Sequence, residues 1–126
     1  MTQKLSDAEF EIMKIIWENA EETTLFSYLM EELAAQGKPC QKNTLIVLLY
    51  RLVSKGYLSA TKIGRRNEYV PLISEQAYQT AQTQHFIDKV YEGSVKGLVT
   101  NLIAGDLLTE EEYEELKKLL EGGRRG

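Results

Sequence analysis

Residues 41–55 read Gln41-Lys42-Asn43-Thr44-Leu45-Ile46-Val47-Leu48-Leu49-Tyr50-Arg51-Leu52-Val53-Ser54-Lys55, with Pro39 just ahead and Gly56 just behind. Leu45, Leu48, Leu49, Leu52 and Val53 fall at i, i+3, i+4, i+7 and i+8, so a helix over this stretch carries one continuous apolar stripe. Asn43, Thr44, Ile46, Val47, Tyr50 and Arg51 are left pointing outward. That outer face presents amide, hydroxyl, methyl and phenol groups and no acid. An asparagine amide can pair with adenine, and threonine, isoleucine or valine can pack on thymine methyls, so the face suits a DNA major groove. The alternative is that Ile46 and Val47 are covered by another part of the protein.

Immediately downstream, Tyr57–Ile63 is rich in strand formers and Glu68–Leu72 makes a short second strand, its proline tolerated at an edge or end. Gly64-Arg65-Arg66-Asn67 between them is a glycine-containing hairpin connector whose tip carries two guanidiniums. Upstream, Ser6-Asp7-Ala8-Glu9 is a capping box that starts a first helix, with Phe10, Met13, Trp17 and Ala20 at helical steps and Ile12, Ile15 and Ile16 widening the stripe to about Asn19. A second helix is expected from Thr24, with Leu25, Leu29, Leu33, Phe26 and Met30 on its apolar face and Gly37 as its left-handed cap. Three helices followed by a basic hairpin predict a winged helix-turn-helix. In that arrangement the third helix enters a groove and the hairpin, the wing, reaches phosphates or the minor groove.

Beyond Ser74 the chain reads as helical and acidic, over about 75–92, 94–104 and 109–121, the last opening on a second capping box, Thr109-Glu110-Glu111-Glu112. Val95, Leu98, Val99, Leu102, Ile103, Leu116, Leu119 and Leu120 supply more apolar surface than so short a segment closes over by itself. Another copy of the chain is the most economical cover, because two-fold dimers dominate homo-oligomers and suit a reader of paired half-sites. The expected fold is therefore mostly α with a small β-hairpin. It comprises a winged helix-turn-helix DNA-binding domain over 1–73, a helical dimerisation domain over 74–121 and a disordered tail over 122–126.

At 126 residues the chain is about one ordinary domain or a small domain with an appendage. Its net charge of −4 is unevenly distributed. Between Gly37 and Asn67 stand seven basic residues and no acid, +7, which leaves −11 for the rest. Such segregation is the footprint of a face that meets a polyanion, the other reading being chance clustering on a solvated surface. No apolar run approaches the ~18 residues of a membrane span, and Met1–Asp7 has no apolar segment behind its lysine, so a cytoplasmic protein without membrane insertion or secretory signal is expected. One cysteine, Cys40, excludes an internal disulfide, and one histidine, His85, has no second ligand at metal spacing. No nucleophile elbow or phosphate-cradling loop occurs, so neither an enzyme, a metal site nor a cofactor is expected.

The chain resembles the penicillinase repressors, the BlaI/MecI family of bacterial winged-helix transcription factors. The resemblance is carried by Leu5-Ser6-Asp7-Ala8-Glu9, Met13-Lys14 and Ile16-Trp17 in the first helix. It continues in Thr44, Leu49, Arg51-Leu52 and Lys55-Gly56 in the third, and in Gly64-Arg65 with Tyr69 and Pro71 in the wing. It implies a homodimeric repressor of a palindromic operator, held by its carboxy-terminal helices and controlling antibiotic-resistance genes. It also implies release by proteolysis within the dimerisation domain, through a membrane sensor-protease of β-lactams. The matching bond is Asn101-Leu102, where the resistance-linked members carry an aromatic residue in place of Leu102. The cysteine-rich motif of the family's copper-responsive branch is missing.

On this reading the partners are a double-stranded DNA operator and a second copy of the chain. Lys42, Asn43, Thr44, Ile46 and Val47 face base edges, and Arg51, Lys55, Lys62, Arg65 and Arg66 meet phosphates or the minor groove. The alternatives are a winged-helix regulator that releases DNA on binding a small molecule, and a winged-helix module that binds proteins.

Overall fold

A computed structural model describes residues 4–123. The elements are α1 (Asp7–Glu18), β1 (Thr24–Leu25), α2 (Phe26–Ala35), α3 (Lys42–Ser54), β2 (Leu58–Ile63), β3 (Arg66–Pro71), α4 (Glu75–Val90), α5 (Val95–Ala104) and α6 (Glu110–Gly122). They divide into two compact units, which separate inside α4 after Gln82.

In the first unit the start of α1 and the end of α3 follow local chemistry. The Ser6 hydroxyl accepts from the Glu9 N–H while the Glu9 carboxylate accepts from the Ser6 N–H, the reciprocal box that opens α1. At the far end of α3, Gly56 adopts φ +83°, its N–H reaching the Val53 carbonyl and the Tyr57 N–H the Leu52 carbonyl. This Schellman closure requires a left-handed residue and turns Tyr57 straight into the core. Leu45, Leu49 and Leu52 of α3, Ile12 and Met13 of α1, and Leu29 and Leu33 of α2 meet there.

Four details depart from the expected elements. Thr24 and Leu25 form a strand rather than the start of the second helix, pairing with Tyr69 and Glu68 to give an antiparallel sheet in the order β1-β3-β2. The Asn19 side chain donates to the Thr24 hydroxyl and the Thr23 carbonyl, tying the 19–24 connection into the shape that delivers Thr24 to the free edge of β3. The hairpin connector is only Gly64-Arg65, since Ile63 already pairs with Arg66 and Lys62 with Asn67. Positive φ at Gly64 but not at Arg65 is the pattern of a type II′ turn, whose twist matches the strands. Val53 lies exposed at the edge of the α3 stripe, and Ala20 is exposed beyond the end of α1.

The aromatic edge of α1 is covered from α4. Tyr78 is buried, with its ring 5.9 Å from Phe10, 5.7 Å from Trp17 and 5.8 Å from Tyr57 between centroids. The Trp17 indole N–H donates to the Ile73 carbonyl at 2.9 Å, and Lys14 pairs with Glu75. The expected division after residue 73 thus falls ahead of the point at which the compact units part.

In the second unit, α5 is capped by Ser94 and α6 by the Thr109–Glu112 box. Glu92 and Gly93, both with positive φ, separate α4 from α5. Among the described residues, neither α5 nor α6 contains a buried one. α6 continues through Gly122 with Gly123 as its cap, while the remainder of the expected disordered tail lies outside the described residues.

Candidate nucleic-acid interface

The outward face of α3 is open. Asn43, Thr44, Ile46, Val47, Tyr50 and Arg51 are all exposed, Ile46 and Val47 at 48% and 47% and Tyr50 at 72%, so nothing within the first unit covers the apolar members. Lys42 and Ile46 line a groove of about 450 Å³ together with Arg65, Arg66, Asn67 and Tyr69 of the wing. Leu25, Phe26 and Ser27, at the opening of α2, also line it. The first turn of α2 has no side-chain cap.

The fold therefore brings Lys42, Ile46, Arg65 and Arg66 together from segments about twenty residues apart in sequence. Thr44 is on another flank, where it lines a cleft of about 250 Å³ with Lys38, Pro39, Cys40 and Leu48. Arg51 and Lys62 are exposed on the last turns of α3 and on β2. Among the described residues no carboxylate stands within ion-pair distance of Lys42, Arg51, Lys62, Arg65 or Arg66, so these cations face solvent uncompensated. Cys40 is half-buried, its thiol near the Gln41 carbonyl, and His85 is exposed.

Lys55, expected at a phosphate, is placed against a carboxylate of the protein itself. Its ammonium donates to Glu9 Oε1 at 2.6 Å and lies 3.4 Å from the Lys4 carbonyl. Glu9 is 1% exposed. Burial pushes the Glu9 carboxyl up, but the hydrogen bonds from Lys55 and Ser6, with the Lys55 charge, outweigh it and hold the group below its ordinary value. The reason is geometric, since the last turn of α3 ends against the first turn of α1. Sequence reasoning could not anticipate it, and it equally missed Ser27, Asn67 and Tyr69, whose place beside the groove is set by strand pairing.

A three-helix, three-strand unit with an acid-free cationic groove between its third helix and its hairpin defines a winged-helix DNA-binding protein. The penicillinase repressor family model matches residues 5–122, and the chain belongs to that family of DNA-binding transcriptional repressors; it is not an enzyme. It is 35% identical over 118 residues to the penicillinase repressor of Bacillus licheniformis, spanning 94% of this chain and 90% of that one. It is 32% identical over 119 residues to the methicillin resistance regulatory protein MecI of Staphylococcus aureus strain N315, spanning 94% of each. The solution structure of the DNA-binding domain of the repressor BlaI superposes with a TM-score of 0.53 at 33% identity, covering 62% of this chain and 92% of that domain. Monomeric Bacillus licheniformis BlaI in complex with the blaP half-operator gives a TM-score of 0.50, again at 33% identity and with the same coverage. Among the described residues no helix is long and apolar enough to cross a membrane.

Proposed function

We propose that this repressor acts in the cytoplasm as a homodimer that sets two copies of α3 into successive major grooves of a palindromic operator. The observation that carries this reading is the uncovered, acid-free face of α3 flanked by the Arg65-Arg66 wing. Asn43, Ile46 and Val47 supply base contacts, Lys42 stands at the groove's edge and Thr44 at the flank, while Arg51, Lys62, Arg65 and Arg66 hold phosphates or enter the minor groove. A relative's complex with a half-operator supports the same docking here.

The second unit, residues 83–126, holds the dimer. Val95, Ile103, Leu119 and Leu120 are exposed, the last two at 68% and 66%, while Leu98, Val99, Leu102 and Leu116 are half-buried. That much uncovered apolar surface on two short helices is what a partner copy would bury. Release follows the family's proteolytic route at the Asn101–Leu102 bond, downstream of a membrane sensor-protease. The bond lies in regular helix, with the Asn101 carbonyl accepting from the Gly105 N–H at 2.8 Å and its side-chain amide donating to the Tyr91 hydroxyl at 3.1 Å. A protease needs extended backbone, so α5 must unwind locally before the bond is cut.

Footprinting of the purified full chain on the DNA upstream of its own gene, over a range of salt concentrations, tests the reading. A protected palindrome with a steep salt slope is the expected result. Weak, sequence-blind protection would instead favour a protein-interaction module.

A further inference from the structure

Among the described residues, Lys55 is the one cation of the basic segment that is turned into the winged-helix unit to a buried acid, although the sequence set it among the phosphate contacts. It is the C-cap of α3, and its ammonium reaches Glu9, the third residue of α1, across 46 positions of sequence. The same Glu9 oxygen accepts the Ser6 N–H at 2.8 Å, so one carboxylate atom closes the start of α1 and holds the end of α3. The Lys4 carbonyl at 3.4 Å completes the surroundings of the ammonium, and only 24% of the Lys55 side chain remains exposed. Directly after it, the left-handed Gly56 sends the chain into the core, so Lys55 lies where the direction of α3 is decided.

We infer that the Glu9–Lys55 pair is a positioning clamp for the recognition helix: it sets the angle at which α3 presents Asn43, Ile46 and Val47, and Lys55 touches no phosphate. The inference rests on the operator-binding reading above. Asn43 lies twelve residues from Lys55, about 18 Å along a helix at 1.5 Å per residue. A tilt of ~3° about the clamped end therefore moves Asn43 by about 1 Å, enough to spoil a paired amide–adenine contact. An error introduced at the clamp is largest at the end of the helix that reads bases and smallest at the clamp itself. Loss of the clamp consequently harms sequence discrimination, while the phosphate-contacting cations of the wing keep their number.

The test uses the full chain and two duplexes: the one protected in the footprint, and the same duplex with one half-site scrambled. Affinity is measured against salt for the unaltered protein, Glu9→Gln, Lys55→Met, the double variant and Arg65→Ala, with each value referred to the folded fraction reported by Trp17 emission. The expected result is a loss on the order of tenfold on the matched duplex for either clamp variant. The matched-to-scrambled ratio falls, the salt slope is unchanged, and the double variant is no worse than the singles. Arg65→Ala instead lowers the slope by about 0.9 for each phosphate that the arginine had neutralised. A lowered slope for Lys55→Met together with equal or tighter binding by Glu9→Gln would overturn the clamp and make Lys55 a phosphate contact. Unchanged affinity and ratio per folded molecule would also overturn it, leaving the pair a contributor to stability alone. Binding by the unaltered protein without preference between the duplexes would overturn the operator reading itself, and the clamp with it.

Discussion

Truncating Tyr78 to alanine removes the ring by which α4 closes the winged-helix unit. Tyr78 is 7% exposed and contacts three other rings, with centroids 5.7–5.9 Å away on Phe10, Trp17 and Tyr57. An aromatic side chain buries about 150 Å² or more, which at ~25 cal/mol per Å² corresponds to about 4 kcal/mol. The unfolded chain already hides part of that area, which lowers the figure, and the cavity left behind raises it, so a loss of about 3–5 kcal/mol is expected. With a urea dependence of ~1 kcal/mol per molar for a unit this small, the midpoint falls by about 3 M or more. Trp17 is the sole tryptophan and lies against Tyr78, so its emission in a urea titration of the full chain reports this unit directly. Tyr78→Phe keeps the ring and costs less than about 1.5 kcal/mol. If Tyr78→Ala lost no more than Tyr78→Phe, the ring cluster would carry no energy and the winged-helix unit would end near residue 73.

Neutralising Arg65 and Arg66 weakens binding on every DNA sequence and flattens the salt slope by roughly 1 for each contact, whereas Asn43→Ala changes the preferred sequence at a cost of about 1–3 kcal/mol; equal losses on matched and mismatched operators for both would undo that division of labour. Glu9 has its carboxyl held below the ordinary value when folded and recovers that value when unfolded. Its contribution is therefore full above the ordinary carboxylate range and is lost as pH falls through the folded value. Urea midpoints between pH 7 and pH 3 will decline for the unaltered protein, less so for Glu9→Gln, and parallel curves would contradict the assignment. Leu116→Asp or Leu119→Asp should shift sedimentation towards monomer and reduce affinity for a full operator far more than for a half-site, and a stable dimer in either variant would place the interface elsewhere.

The contrast between Glu9–Lys55 and the α3 stripe explains how much could be read without coordinates. Helical spacing and capping chemistry are local, so α1, α3 and both capping boxes were legible from the sequence, and the hairpin in outline but not in the length of its connector. The basic segment was equally plain, because charge can be counted along a chain. Periodicity, however, identifies an apolar face without naming what covers it. Phe10 and Trp17 belonged to such a face, and only the folded chain brought Tyr78 onto it. Thr24 and Leu25 follow the same logic, since a two-residue strand exists only where the unpaired edge of β3 offers hydrogen bonds that a helical turn would forgo.

From the order of residues alone follow the class of fold, the helix that faces outward without acids, and, through Arg65 and Arg66, the negative sign of the partner's charge. Which cations remain for that partner is settled only on folding. Lys42, Arg65 and Arg66 converge on one groove because strand pairing and helix packing bring them there, while Lys55, identical in charge, meets a buried carboxylate 46 residues away. A cation's type is written in the chain, but the nearest opposite charge is set by distances that arise only on folding, and at 2.6 Å Glu9 is the acid that Lys55 meets.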